Sequence, residues 1–230
     1  MRAMLSRLGI EETQLLRWIE DSRASGSNLI GRGYQSNVYL FERGDTRLAV
    51  KTVAESLSSR LLCWRLLRNE LRAYSRLEGL PGIPRCYGLL DGRHLVLEHV
   101  DGAPFRDAVI QDREAFFEDL LRLVRSLHAR GVAHCDLKKK DNLLVVDGRA
   151  PCVIDFGVAI SRKDGFAPLN HYWYRLARTF DYNAWAKLKY EGRLENASAQ
   201  DLALVHRTAV ERVANTVKMA YLRVRGKLGL

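Results

Sequence analysis

A switch of hydrophobic period between residues 29 and 77 constrains the fold of this chain more than any other feature. The stretch "NLIGRGYQSNVYLFE", the turn "RGDT" and then "RLAVKTV" set β-branched and aromatic residues on either side of Gly44 and Asp45, which predicts a hairpin and a third strand. Residues 57–77, "LSSRLLCWRLLRNELRAYSRL", run instead at helical period, with Leu62, Leu66, Asn69 or Glu70, Ala73 and Leu77 along one stripe. "GLPGIPRCYGLL" reads as a connector and a strand, and "DGRHLVLEHVDG" as a turn and a fifth strand. The order βββαββ makes a compact first unit of mixed α and β structure.

Beyond Phe105 the pattern becomes mainly helical. "REAFFEDLLRLVRSLHARG" is an amphipathic helix with Gly131 placed to end it, followed by two short strands, "NLLVV" and "PCVIDF", around the turn "DGR". Residues 158–230 read as helical and close with a basic helix over 199–224. Before the first strand, Leu5, Leu8, Leu15, Leu16 and Ile19 predict a helix over 4–20 that ends at the polar stretch "DSRASGSN". The expected organisation is an accessory helix in 1–27, a five-stranded unit in 28–97 and a smaller helical unit in 98–230.

With 47% apolar residues the chain has enough material for a sizeable core. Its 37 Lys and Arg against 27 Asp and Glu leave a formal charge of +10, which favours polyanionic partners such as nucleotide phosphates, nucleic acid or an acidic membrane surface. No nucleic-acid-binding motif accompanies that charge, so nucleic acid is not expected as a partner. Cys63, Cys86, Cys135 and Cys152 are widely spaced with no CxxC pair, which argues against a zinc site or a disulfide framework and fits a reducing cytosol. The N-terminal segment lacks the apolar run of a signal peptide and no stretch reaches 18 apolar residues, so a cytoplasmic chain is expected.

Five short signals occur in a fixed order: "GRGYQSNV" with Gly31 and Gly33, "LAVK" with Lys51, Glu70 in the helix, "HCDLKKKDNLLV", and "DFG" at 155–157. Each alone has an ordinary reading as a glycine turn, a solvated lysine, a helix-surface carboxylate or a strand end. Their spacing joins them, since Lys51 lies 20 residues after Gly31, Glu70 19 after Lys51, and Asp155 19 after Asp136. The set resembles the protein kinase superfamily. That resemblance implies an α+β, two-lobed protein kinase-like fold, with a five-stranded N-lobe, a hinge after residue 97 and a short, mainly helical C-lobe. It also implies ATP and Mg²⁺ as nucleotide and cofactor.

The resemblance carries roles to individual positions. Gly31 and Gly33 would let backbone approach the phosphates, although the family's third glycine is Ser36 here. Lys51 would contact the α- and β-phosphates and pair with Glu70, while Asp155 would ligate Mg²⁺. Val38 and Ala49 would cover the adenine, Leu144 would lie beneath it, Leu97 would border its rear, and the Glu98 carbonyl and Val100 amide would bond its edge. Asp136 would receive the proton of the attacking hydroxyl, and Lys138 would lie near the γ-phosphate. The family's second metal ligand is an asparagine five residues after the aspartate, whereas Asn142 follows Asp136 by six, so either Asp141 or Asn142 is available to that position. Keeping Leu144 toward the adenine favours Asn142, because a slip of one residue reverses both faces of the strand. The added residue then falls around Lys139 and Lys140.

The chain also departs from the family. Cys135 stands where regulated kinases carry arginine, no A-P-E element follows Asp155, and only 73 residues follow Gly157. A second lobe this small is similar to RIO-type kinases and to lipopolysaccharide (Kdo/heptose) sugar kinases. Two acceptors are therefore expected, a protein serine or threonine or a glycolipid sugar at the inner membrane surface, with a nucleotide-binding pseudokinase as a non-catalytic alternative. Leu169, Trp173, Leu176, Phe180 and Leu188 are expected to pack the second lobe, with a peripheral membrane face as the alternative.

Overall fold

Alternation along the third strand organises the first half of the molecule. In a computed structural model, which describes residues 5, 8–32, 36–53 and 60–206, five strands form one antiparallel sheet in the order β1-β2-β3-β5-β4. They are β1 (Leu29–Arg32), β2 (Ser36–Arg43), β3 (Thr46–Val53), β4 (Cys86–Leu90) and β5 (His94–Glu98). Leu48 and Val50 of β3 turn to one face, where they pack with Phe41, Leu90 and Val96 against Leu15 and Ile19 of helix α1 (Glu12–Ser25). Ala49 and Val53 turn to the other, against the core shared with helix α2 (Arg60–Arg76), and Lys51 lies between them on that face.

Helix α1 ends later than the polar stretch "DSRASGSN" suggested. It starts at Glu12, runs through Asp21–Ser25 and stops at Gly26, whose φ of 71° places it in the left-handed region that a terminating glycine adopts readily. Polar residues alone did not break it. Helix α2 buries Glu70, Ala73 and Leu77 of the expected stripe, with Leu67 and Tyr74 beside them, while Leu66 is half-buried.

In the second half, helix α3 (Arg113–Ala129) is capped by Asp112, whose side chain accepts from the Ala115 N–H at 3.0 Å, and is followed by Gly131 at φ 74°. Strands β8 (Leu143–Val146) and β9 (Ala150–Val153) form the expected hairpin. Three two-residue strands, β6 (Ala103–Pro104), β7 (Val132–Ala133) and β10 (Ile160–Ser161), are too short to leave a period in the sequence; β6 pairs with β8 and β7 with β10. Helix α4 (Pro168–Lys189) opens with proline in its first turn and packs on α3, where Trp185 is 1% exposed and its indole N–H donates to the Phe117 carbonyl at 2.8 Å.

This is the two-lobed α+β fold that the resemblance implied, but residues 158–167 are not helical. The apolar series on α4 also divides. Leu188 is buried and Leu176 and Phe180 are half-buried, whereas Leu169 is 70% exposed and Trp173 49%. Helix α4 turns Tyr174, Ala177, Asp181, Ala184 and Trp185 to the core instead. Only residues 199–202 of the expected basic helix are seen as helix, and from 207 onward it lies outside the described residues, as does Gly33. Among the described residues no helix is long and apolar enough to cross a membrane.

Candidate active site

Three charged side chains from three elements meet between the two halves. Lys51 Nζ donates to Glu70 Oε2 at 2.7 Å and to Asp155 Oδ1 at 2.7 Å. The Lys51 side chain is 13% exposed, that of Glu70 2% and that of Asp155 39%, so the cluster opens to solvent only on the Asp155 side. Burial by itself would lower the Lys51 pKa, but the charges of Glu70 and Asp155 outweigh it and hold the ammonium above its usual value. Burial raises the Glu70 pKa, with Lys51 opposing. Burial would also raise Asp155, yet Lys51, and further off Lys139, keep it below the ordinary carboxylate value.

Asp155 follows β9 at φ 64°, a left-handed backbone setting that costs a non-glycine residue about 1–3 kcal/mol. Asn69, one residue before Glu70 on α2, secures the loop that follows: its Nδ2 donates to the carbonyls of Gly157 at 3.0 Å and Ala159 at 2.7 Å. One helix thus supplies both the carboxylate and the clamp.

The segment from His134 to Asn142 is built on a buried aspartate of α4. Asp181, fully buried, accepts from the backbone N–H of His134 and of Cys135, each at 2.8 Å, and pairs with His128 Nε2 at 2.9 Å. Those bonds hold Cys135 at φ 69°. His134 Nδ1 accepts from the Asp136 N–H at 3.2 Å, which leaves Nε2 protonated to donate to the Ile154 carbonyl at 2.9 Å. Its ring and that of Tyr74 each meet Phe156 edge-on, at 4.9 and 5.0 Å between centroids. Asp136 is thereby fixed, half-exposed, with Leu137 buried beside it.

The added residue is absorbed in a 3-10 turn over Lys140–Asn142. Asn142 is 2% exposed, and its Nδ2 donates to the Asp136 carbonyl at 3.1 Å and to Asp136 Oδ2 at 3.3 Å. Its backbone N–H donates to the Lys139 carbonyl at 2.9 Å. Asp141 turns the other way and forms an ion pair with Arg106 at 3.2 Å. Lys138, Lys139 and Lys140 are all exposed. In β8 the side chains of Leu143 and Val145 enter the core, leaving Leu144 half-buried on the opposite face.

The remaining candidates line the sheet and the segment that leaves it. Val38 pairs with Lys51 across β2 and β3 and with Gly31 across β1 and β2; Ala49 pairs with Leu97 across β3 and β5. Val38, Ala49 and Val100 are half-buried and Leu97 is buried. The Glu98 carboxylate is occupied by the Arg85 N–H at 3.0 Å. Gly102, not singled out from sequence, passes so close to β8 that a Cβ there would lie 3.2 Å from both Leu144 Cβ and the Val145 carbonyl. Asn69 and Asp181 are the other two positions that sequence reasoning missed. For Asp181 a signal existed, an acid at core spacing with Ala177, Ala184, Trp185 and Leu188.

The donor set suits Mg²⁺ more than a softer metal. Among the described residues no group of three or more His, Cys, Asp and Glu could hold an ion unaided. The oxygens on offer are the Asp155 carboxylate and the Asn142 amide oxygen, whose nitrogen is used on Asp136. One lysine against two carboxylates leaves the Lys51 cluster short of positive charge. Hard oxygen donors and a charge deficit fit a divalent cation that takes its other ligands from phosphate and water.

The protein kinase domain family matches residues 25–185. A probable myosin light chain kinase from Dictyostelium discoideum is 33% identical over 150 residues, 60% of this chain and 47% of that protein. The serine/threonine-protein kinase KDX1 of Saccharomyces cerevisiae is 27% identical over 173 residues, covering 64% and 40%. The serine/threonine-protein kinase Pkn1 of Myxococcus xanthus is 31% identical over 159 residues, covering 62% and 22%. The chain spans less than half the length of these relatives.

Proposed function

The chain belongs to the protein kinase family, and from that premise we propose that it transfers the γ-phosphoryl group of ATP to a serine or threonine hydroxyl of a protein. The observation that carries this reading is the Lys51–Glu70–Asp155 cluster together with the Asp136–Asn142 pair, tied to it by the N–H of Ile154, next to Asp155, which donates to the Asn142 carbonyl at 3.0 Å.

Glu70, unable to move in its buried seat, holds the Lys51 ammonium where it neutralises nucleotide phosphate oxygens. Asp155 and the Asn142 oxygen would hold Mg²⁺, which when bound neutralises the charge on the phosphates. Asp136 Oδ2, oriented by the Asn142 amide, receives the proton of the attacking hydroxyl. Lys138, exposed at the mouth of the cleft, supplies charge toward the γ-phosphate. Val38, Ala49, Leu97 and Leu144 would enclose the base, Glu98 and Val100 would offer backbone groups to its edge, and Gly31 would approach the phosphates.

A protein acceptor is favoured over a glycolipid sugar because the relatives reported above are serine/threonine kinases. A pseudokinase reading is disfavoured by the coexistence of the full charged cluster with a seated Asp136. The test is transfer of label from γ-labelled ATP to serine- and threonine-containing peptide arrays and, in parallel, to lipopolysaccharide precursors. Labelled serine or threonine supports the proposal; label only on the sugar, or none anywhere while nucleotide binds, contradicts it.

A further inference from the structure

A cavity of about 840 Å³ lies away from the catalytic cleft, between the C-terminal end of α3, the segment joining β10 to α4, and the first turns of α4. Arg162 enters it from the connecting segment, and Arg175 and Arg178 enter from α4. Among the described residues none of these three guanidinium groups forms an ion pair. Arg178 Nε is buried with no hydrogen-bond partner.

One further feature, the start of helix α4, points to an anion. His128, also on the cavity wall, is 7% exposed; its Nε2 donates to Asp181, and its Nδ1, buried with no partner, can accept a hydrogen bond from a ligand. Helix α4, 22 residues long, begins at this cavity with Pro168 in its wall. Its N-terminus has neither a side-chain cap on Ala167 nor an acid in the first turn, so the positive end of the helix is uncompensated there. Three arginines that form no ion pair among the described residues and a bare helix start share one void. Part of the wall is apolar: Phe166 is 96% exposed at the rim and Tyr174 is buried, with its hydroxyl already committed to the His128 carbonyl at 2.6 Å.

We propose that this cavity is a second ligand site, one that binds the phosphate group of a small phosphate monoester whose aromatic or apolar body rests against Phe166 and Tyr174. The phosphate oxygens accept from the Arg162, Arg175 and Arg178 guanidinium groups, which match their geometry in paired N–H bonds. His128 links the site to the catalytic loop through a single residue, because Asp181 accepts from His128 and from the backbone of His134 and Cys135. This site does not depend on the phosphotransferase reading.

Phenyl phosphate, inorganic phosphate and phenol, titrated by calorimetry at constant ionic strength into the full chain and its variants, test the proposal. Phenyl phosphate is expected to bind saturably and more tightly than either fragment. Arg178→Gln and the exposed-site change Arg175→Glu are each expected to weaken it by about tenfold or more, since each removes a charge-assisted contact. Lys51→Met, which disables the nucleotide cleft, is expected to leave it within about twofold, well under one charge-assisted contact. Melting curves establish that each variant is folded, and Arg175→Gln supplies a milder replacement should Arg178→Gln unfold. Loss of binding in Lys51→Met, equal binding in all variants, or no saturable binding of phenyl phosphate would overturn the proposal.

Discussion

The cleft around Lys51 and the cavity around Arg178 both gather charge inside one small chain, and they handle it in opposite ways. In the cleft each charged group has a partner at 2.7 Å, and the shortfall of one positive charge is left on its open side. In the cavity three guanidinium groups form no ion pair among the described residues, and the Nε of Arg178 is buried with no hydrogen-bond partner there. A compensated cluster keeps its geometry without a ligand, which suits groups that must be in place before a reaction begins. An uncompensated one is complete only when an anion arrives. Asp181 joins the two, with His128 on one side and the loop at His134 and Cys135 on the other.

Breaking that joint should have the largest effect. Asp181→Ala strips the acceptor from two buried backbone N–H groups and from His128, and is expected to cost about 3–5 kcal/mol of stability by urea denaturation. Asp181→Asn, which keeps one acceptor oxygen, should cost less and still release Cys135 from its left-handed setting. Equal stability of wild type and the alanine variant would show that the loop is held by other contacts.

Acid should separate the members of the cleft. Glu70, whose pKa is raised by burial, protonates as pH falls toward and above its ordinary 4.5, while Asp155, held below 3.8, is still ionised. The sign differs between them. Protonation of Glu70 is easier in the folded state than in the unfolded chain, so falling pH through that window does not destabilise the fold through this residue, although it loosens the Lys51 tether. The contribution of Asp155 is present above 3.8 and is lost only as pH falls through its lower folded value. Transfer activity should therefore decline in acid before the melting temperature does, and Glu70→Gln should lack that limb of the pH–rate profile. A simultaneous fall of activity and stability in wild type would contradict this separation.

The smallest effects divide the lysines of the added turn. Lys138→Ala is expected to lower kcat/KM for ATP by about tenfold or more, as for loss of a donor to developing charge. Lys139→Ala, an exposed side chain that acts on Asp155 only through its charge, should change it by no more than about fivefold. Steady-state kinetics that reverse this order would move the phosphate contact to Lys139.

Strand alternation made the setting of Lys51 legible, because Leu48 and Val50 had to share a face and Lys51 had to point from the other. The same rule chose the register of Leu143–Val146 and so the side on which Asn142 falls. Helix ends were less legible: "DSRAS" continues α1 because polar residues do not stop a helix, whereas Gly26 does. The rotation of α4 was misread because Leu169 and Trp173 look like core residues, while the contact that orients the helix belongs to Asp181, an acid whose partners lie 46 to 53 positions away. Its core spacing signals burial, but no local pattern encodes those partners. Arg162, Arg175 and Arg178 likewise converge only once the segment before α4 is folded.

The central claim, that the compensated cleft performs phosphoryl transfer, is tested most directly by measuring nucleotide binding and single-turnover transfer on the same preparations of wild type and Asp136→Asn. Wild type should label a serine or threonine acceptor, and the variant should bind ATP with Mg²⁺ as well as wild type does while its transfer rate falls by about 10²- to 10⁴-fold. Equal transfer by both proteins, or nucleotide binding by wild type with no transfer at all, would contradict it.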